Sequence, residues 1–129
     1  AGHFGIWTGQ GLVDAIAGNA KWRDVVQPTS VKRLSVLPGG RFAADEPLAA
    51  GDVVLSPVLD ALGLRYQIVL VDAASLAYPE VAPVGRLCKG TYLVAELGHT
   101  PRKAARRAVH LLKRCGVRVL GCVLTGEAA

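Results

Sequence analysis

Residues 66–72 read Tyr66-Gln67-Ile68-Val69-Leu70-Val71-Asp72, an unbroken β-branched and aliphatic run with an acid at its end. Such a run predicts a parallel strand that is buried on both faces of a sheet. A helix precedes it and is expected to end at Gly63. The core face of that helix, at spacings of three and four, carries Val54, Leu55, Val58, Leu59 and Leu62.

Strands and helices alternate from this run to the C-terminus. Residues 81–87 carry a weak helical stripe, and residues 91–96 predict a second buried strand. Residues 100–115 predict a long helix, with Thr100 as its cap, Pro101 in its first turn and Gly116 closing it. Its apolar face comprises Ala104, Ala105, Ala108, Leu111, Leu112 and Cys115. Residues 117–124 form the final strand. The alternation predicts an α/β fold, with a mostly parallel sheet and helices on both faces.

The N-terminal part is less regular. Residues 11–18 predict a short helix closed by Gly18, and residues 22–26 a second short helix before Pro28. Residues 31–37 alternate apolar side chains and predict the first strand of the sheet. Residues 41–52 combine Ala, Pro, Gly and acids without periodicity, which indicates a surface loop.

Length and composition limit the architecture. The chain has 129 residues, of which 51% are hydrophobic and 19% charged, so we expect one soluble α/β domain over residues 1–129. No apolar run approaches the roughly 20 residues of a membrane helix, and no signal segment opens the chain. Cys88, Cys115 and Cys122 lack metal spacing, which favours buried thiols in a reducing cytoplasm. Because no Met is present, Ala1 is either a processed start or a cut inside a longer protein.

Asp72 is the first chemical signal. A carboxylate at the end of a hydrophobic strand is an arrangement that holds Mg²⁺ in phosphate-binding enzymes, because this hard cation prefers oxygen ligands. Acids at strand ends also serve as helix caps and turn formers. The spacing alone leaves both interpretations open.

The chain contains no phosphate loop of the form GxxxxGK[ST]. Its Gly-rich pieces, Gly9-Gln10-Gly11 and Pro38-Gly39-Gly40, have no following Lys with Ser or Thr. No Ser, His and acid form a recognisable nucleophile motif, so we assign no catalytic residue to this chain.

A basic cluster occupies the long C-terminal helix. The net charge is +5, and beyond Glu96 the only acid is Glu127. The cluster is a solvated outer helix face, or it meets a protein, an acidic lipid or nucleic acid. Nucleic acid is the minor alternative, since no aromatic residue interleaves with the cations. The cluster consists of Arg102, Lys103, Arg106, Arg107, Lys113 and Arg114.

Several pieces, in order, resemble the bacterial tyrosine autokinases of capsular and exopolysaccharide biosynthesis, which are P-loop ATPases related to the partition and division ATPases. The resemblance runs over nearly the whole chain and rests on order and spacing. The pieces are Phe4-Gly5, residues 11–18, Leu34-Ser35-Val36-Leu37-Pro38-Gly39-Gly40, residues 66–72, Thr100-Pro101-Arg102-Lys103 and residues 116–124.

The resemblance implies a three-layer, Rossmann-like P-loop fold that here lacks its phosphate-loop strand, so that the chain matches the C-terminal part of the kinase domain. It implies Mg-ATP as the cofactor of the intact domain, with Asp72 at the metal and Thr125-Gly126 at the nucleotide edge. The family has Thr-Pro-Pro where this chain has Ala73-Ala74-Ser75, and Asn where it has Thr125. Because the phosphate loop is absent, we expect the chain alone to bind Mg-ATP weakly or not at all and to be inactive.

Function and location follow from the same resemblance. The family implies a role in polysaccharide synthesis or export, with a membrane-bound polysaccharide co-polymerase or a second copy as partner. It implies a cytoplasmic location, with membrane association through that partner. The alternative is a degenerate, non-catalytic module that docks a protein through the basic cluster.

Overall fold

A computed structural model describes residues 5–7, 9–40, 51–73, 75–77 and 81–126. The chain divides into two compact units, Ala1–Arg65 and Tyr66–Ala129. Predictions for most of the loop at 41–52, and for Phe4, Ala74 and Glu127, fall outside the described residues. Within the described part, no helix has both the length and the apolarity that a membrane crossing requires.

The first unit begins with two short helices, α1 (Leu12–Ile16) and α2 (Trp22–Val25). Both were predicted, and each ends within two residues of its expected end. Gly18 has φ +76°, the left-handed conformation that was expected to close α1. Asp14 completes the start of α1, because its carboxylate accepts a hydrogen bond from the Gly11 amide at 2.8 Å.

A small hairpin replaces the strand that was predicted over residues 31–37. Only Ser35–Val36 (β2) pairs, and it runs antiparallel to Gln27–Pro28 (β1). The Thr29 amide donates to the Leu34 carbonyl at 3.1 Å, which turns the chain back on itself. The prediction of a sheet strand here was wrong because this turn supplies a local, antiparallel partner.

The helix α3 (Gly51–Arg65) is longer than predicted at both ends. Gly51 and Asp52 were expected in a loop but belong to its first turn, and Gly63 lies inside the helix rather than ending it. A helix tolerates an interior Gly at a cost of about 1 kcal/mol, so Gly63 alone does not terminate it. The predicted core residues Leu55, Val58 and Leu62 are buried.

The second unit contains α4 (Val81–Leu87), β3 (Thr91–Glu96), α5 (Arg102–Arg114) and β4 (Val119–Thr125). β3 and β4 pair in parallel, and α5 joins them and packs on both. This confirms an α/β fold with a parallel sheet. β3 was expected to be buried, but its side chains alternate: Tyr92 and Val94 are exposed, whereas Ala95 is buried.

Residues 66–72 form no strand, which contradicts the prediction of a strand buried on both faces. Ile68 is 77% exposed and Leu70 is 89% exposed. A strand needs a neighbour to satisfy its backbone groups, and in the described parts of the chain no segment pairs with this one. The apolar side chains of this segment therefore stay exposed.

The two ends of α5 differ in how well they were predicted. Thr100 does not cap the helix, because Pro101 occupies the N-cap position. The Thr100 hydroxyl instead accepts a hydrogen bond from the Glu96 amide at 3.0 Å. The C-terminus is as expected: Gly116 has φ +78°, and its amide donates to the Lys113 carbonyl. The Val117 amide donates to the Leu112 carbonyl at 2.9 Å, which completes a Schellman motif.

The predicted apolar face of α5 is only partly buried. Leu112 is 2% exposed, and Ala105, Ala108 and Cys115 are half-buried. Ala104 and Leu111 were assigned to this face but are exposed. A two-stranded sheet is too narrow to cover the full apolar arc of the helix.

The three cysteines are free thiols. Cys88 and Cys115 are half-buried, but Cys122 is exposed, so the prediction of buried thiols was wrong for Cys122. Burial raises the pKa of the Cys88 thiol above its usual value.

Candidate nucleotide edge and basic helix

The carboxyl ends of β3 and β4 meet at one edge of the parallel sheet. Glu96 pairs in register with Thr125, and the Leu97 amide donates to the Thr125 carbonyl at 2.8 Å. Gly126 follows with φ +99°, and a Cβ built on it lies 3.6 Å from Leu97. The predicted pair Thr125-Gly126 therefore lies beside the turn that leaves β3, which is where a parallel sheet binds its ligands.

The turn after β3 brings two further polar side chains to this edge. The Thr100 amide donates to the Glu96 carbonyl at 2.9 Å, and Gly98 has φ +77°. Nδ1 of His99 then lies 3.6 Å from Oε1 of Glu96. No role was predicted for this pair from the sequence. Their three-residue spacing across Gly98 was the signal that could have identified them.

Asp72 stands at the end of the exposed apolar segment and is itself exposed. Among the described residues, none forms a hydrogen bond or an ion pair with its carboxylate. Neither a helix cap nor a turn in the described ranges uses this carboxylate.

Asp72 can supply one oxygen ligand to a cation. Across the described ranges, no group of three or more His, Cys, Asp and Glu side chains could hold a metal ion by itself. Mg²⁺ commonly keeps several waters and binds one or two carboxylates together with substrate phosphates. A single free carboxylate fits that mode of binding but not a metal site made of protein ligands alone.

The two Gly-rich pieces of the first unit contact each other. The Leu12 amide donates to the Pro38 carbonyl at 2.8 Å, and the Val13 amide to the Gly39 carbonyl at 3.1 Å. The Gly11 amide is taken by the Asp14 carboxylate. Because these three donors are engaged and a carboxylate lies among them, they do not form a cradle for phosphate.

The basic cluster of α5 is exposed along its whole length. All six side chains lie at the surface, and no acidic side chain of the described residues forms an ion pair with them. Arg102, Arg106 and Lys113 follow one line of the helix, and Lys103, Arg107 and Arg114 follow a second. His110 lies between the two lines.

Comparison with known proteins gives a consistent set of relatives, although no protein-family model matches the chain. The chain is 24% identical over 116 residues to the tyrosine-protein kinase CpsD of Streptococcus agalactiae serotype III, covering 89% of this chain and 50% of that protein. It is 28% identical over 120 residues to the succinoglycan biosynthesis transport protein ExoP of Rhizobium meliloti, covering 88% of this chain and 15% of ExoP.

A solved structure shares the fold. The kinase domain of the Escherichia coli tyrosine kinase ETK superimposes with a TM-score of 0.87 at 24% identity, covering 96% of this chain and 50% of that one. The chain thus spans half the length of the CpsD relative and half of the ETK kinase domain. The chain is thus similar over most of its length to part of tyrosine kinases such as CpsD and to part of ExoP, and it shares the fold of part of the ETK kinase domain.

Proposed function

We propose that this chain supplies the metal carboxylate and the nucleotide edge of an ATP-dependent tyrosine kinase domain that acts in polysaccharide synthesis or export. The observation that carries the proposal is Asp72: its carboxylate ends an apolar segment, is exposed and has no partner among the described residues. Thr125 and Gly126 would contact the nucleotide from the end of β4. When bound, Mg²⁺ neutralises charge on the phosphates.

Phosphate contacts have to come from outside this chain. Backbone donors and a Lys supply most of them in P-loop proteins, and no Lys with Ser or Thr follows the Gly-rich pieces here. We therefore expect the isolated chain to bind Mg-ATP weakly or not at all. Calorimetric titration with Mg-ATP should give no binding heat, and micromolar binding would refute this expectation.

Asp72 is tested in a longer protein that carries this chain together with a phosphate loop. Asp72→Asn should abolish Mg²⁺-dependent tyrosine phosphorylation, because the amide cannot replace the negative ligand. Asp24→Asn is the matched control, since Asp24 is also an exposed aspartate but lies in α2 of the first unit. Equal loss in both variants would show that Asp72 has no special role, and full activity of Asp72→Asn would reject the metal assignment.

The alternative is a non-catalytic relative that docks a protein, either a membrane-bound polysaccharide co-polymerase or a second copy. Its support is the replacement of the family's Thr-Pro-Pro by Ala73-Ala74-Ser75 and of its Asn by Thr125, together with the exposed basic cluster. Both functions place the chain in the cytoplasm. Absence of phosphoryl transfer in the longer protein, despite a phosphate loop with its Lys, would favour this alternative.

A further inference from the structure

The second unit carries the entire net charge of the chain. Nine of the fifteen Lys and Arg residues, but only four of the ten Asp and Glu residues, lie between residues 66 and 129. In the first unit the two signs balance. Charge that is segregated in this way produces a directed field, which attracts an anionic partner to one unit.

Within that unit, α5 presents its cations on one broad face. Its 13 residues extend about 20 Å at the rise of an α-helix. Two lines of three cations run along it, separated by about 100° around the axis. The opposite side of α5 packs on the sheet through Leu112, so the helix is held with its charged face outward.

One edge of this face is apolar. Leu111 is 46% exposed, and it lies one turn beyond Arg107, at the border of the second line of cations. Ala104, on the same border, is exposed as well. A face of Lys and Arg with an adjacent exposed apolar side chain is typical of helices that adsorb to the interface of a membrane.

We propose that α5 adsorbs to an anionic lipid bilayer, with the basic cluster against the headgroups and Leu111 at the acyl boundary. The proposal does not depend on nucleotide binding by Asp72. Clusters of four to eight Lys and Arg residues on an amphipathic helix bind anionic lipids, and each basic side chain near the surface contributes comparably. α5 adsorbs rather than inserts, because its opposite side is already buried against the sheet.

Lipid fits this surface better than the other polyanions. A nucleic-acid surface offers no apolar layer for Leu111, and α5 contains no aromatic side chain on which a base could stack. An acidic protein would need carboxylates matched to two lines of cations about 20 Å long. A bilayer presents mobile anionic headgroups that match any such arrangement.

Cosedimentation with vesicles tests the proposal. The chain should bind phosphatidylcholine vesicles containing about 30% phosphatidylglycerol, and it should not bind vesicles of phosphatidylcholine alone. Raising the salt from ~0.05 M to ~0.5 M should release it, because exposed charges are screened. Binding to neutral vesicles with equal affinity, or no binding to the anionic ones, would overturn the proposal.

Paired variants locate the surface. Arg106→Gln/Arg107→Gln should weaken binding to anionic vesicles about 30-fold, from the contribution of two basic side chains. Arg106→Lys/Arg107→Lys should bind the vesicles like the parent chain. This comparison distinguishes the effect of lost charge from the effect of a disturbed helix. Lys21→Gln/Lys32→Gln removes two exposed charges from the first unit and should change binding by no more than about twofold.

The remaining outcomes identify a different partner. If the α5 variant and the first-unit variant lose binding equally, net charge rather than α5 is responsible and the proposal is wrong. If the chain ignores anionic vesicles but binds polyglutamate, the partner of α5 is an acidic protein. If it binds duplex DNA in preference to anionic vesicles, the partner is nucleic acid.

Discussion

Asp14 and Asp72 have the same side chain, but the structure gives their carboxylates different surroundings. The Asp14 carboxylate accepts the Gly11 amide at 2.8 Å and is half-buried. Asp72 is exposed and has no hydrogen-bond partner in the described structure. The metal role that we propose for Asp72 therefore predicts that its carboxylate contributes little to stability.

Alanine substitution distinguishes the two aspartates. Asp14→Ala should lower the free energy of unfolding by about 1 kcal/mol, because it removes an acceptor at the start of α1. Asp72→Ala should change it by less than about 0.5 kcal/mol. Urea unfolding of both variants measures the difference. A loss at Asp72 as large as that at Asp14 would show that Asp72 is a structural acceptor.

At the scale of elements, two glycines serve opposite purposes. Gly116 ends α5 at φ +78°, and a Cβ there would meet no atom closer than 3.8 Å. Glycine is therefore favoured at position 116 by the left-handed backbone conformation, and not by a lack of space for a side chain. Gly63 lies inside α3, and no atom lies within 4 Å of a Cβ built on it. Its backbone freedom in the unfolded chain therefore only lowers the stability of the helix.

Gly116→Ala should consequently destabilise the chain by about 1–2 kcal/mol, the cost of a left-handed residue with a side chain. Gly63→Ala should stabilise it by about 0.5–1 kcal/mol through higher helix propensity. The melting temperatures of the two variants should move in opposite directions. A shift of the same sign in both would contradict these helix boundaries.

The elements also show which features a sequence can predict. The bounds of β3 and α4 and the end of α5 were predicted because their signals are local: an apolar run, a helical stripe and a Gly at C′. The strand that was predicted over residues 66–72 does not form, because burial on two faces depends on neighbouring strands rather than on Ile68 or Leu70 themselves. Thr100 failed as a cap because its hydroxyl is engaged by Glu96, a contact that spacing does not reveal.

The candidate site was predictable to a similar degree. Asp72 and Thr125-Gly126 were predicted from a strand end and the family resemblance, and their roles stay predictions; the structure shows only that the Thr125 carbonyl accepts the hydrogen bond of the Leu97 amide. The Glu96–His99 pair was missed because it depends on the turn at Gly98. The exposure of all six cations of α5 agrees with the helical spacing of the sequence.

At the scale of the whole molecule, residues 66–72 leave apolar surface uncovered. Ile68→Thr/Leu70→Thr should leave stability within about 0.5 kcal/mol of the parent, because both side chains are exposed. The variant should also self-associate less, since exposed apolar patches promote association. Sedimentation velocity measures the second effect, and thermal unfolding the first.

Leu112→Ala is the control for that experiment, because Leu112 is among the most buried side chains of the second unit. It should cost about 2–5 kcal/mol, the range for a core Leu. A comparable loss in the Ile68→Thr/Leu70→Thr variant would show that the apolar segment is packed in solution.

We propose that this chain forms part of a nucleotide-binding kinase domain whose phosphate contacts lie outside it. Sequencing the coding region upstream of Ala1 tests this proposal. We predict a strand followed by GxxxxGK[ST] within the preceding ~100 residues, a stretch of about one domain or less. A start codon at Ala1, or a loop without the Lys, would contradict the claim and leave a non-catalytic protein that acts through its surfaces.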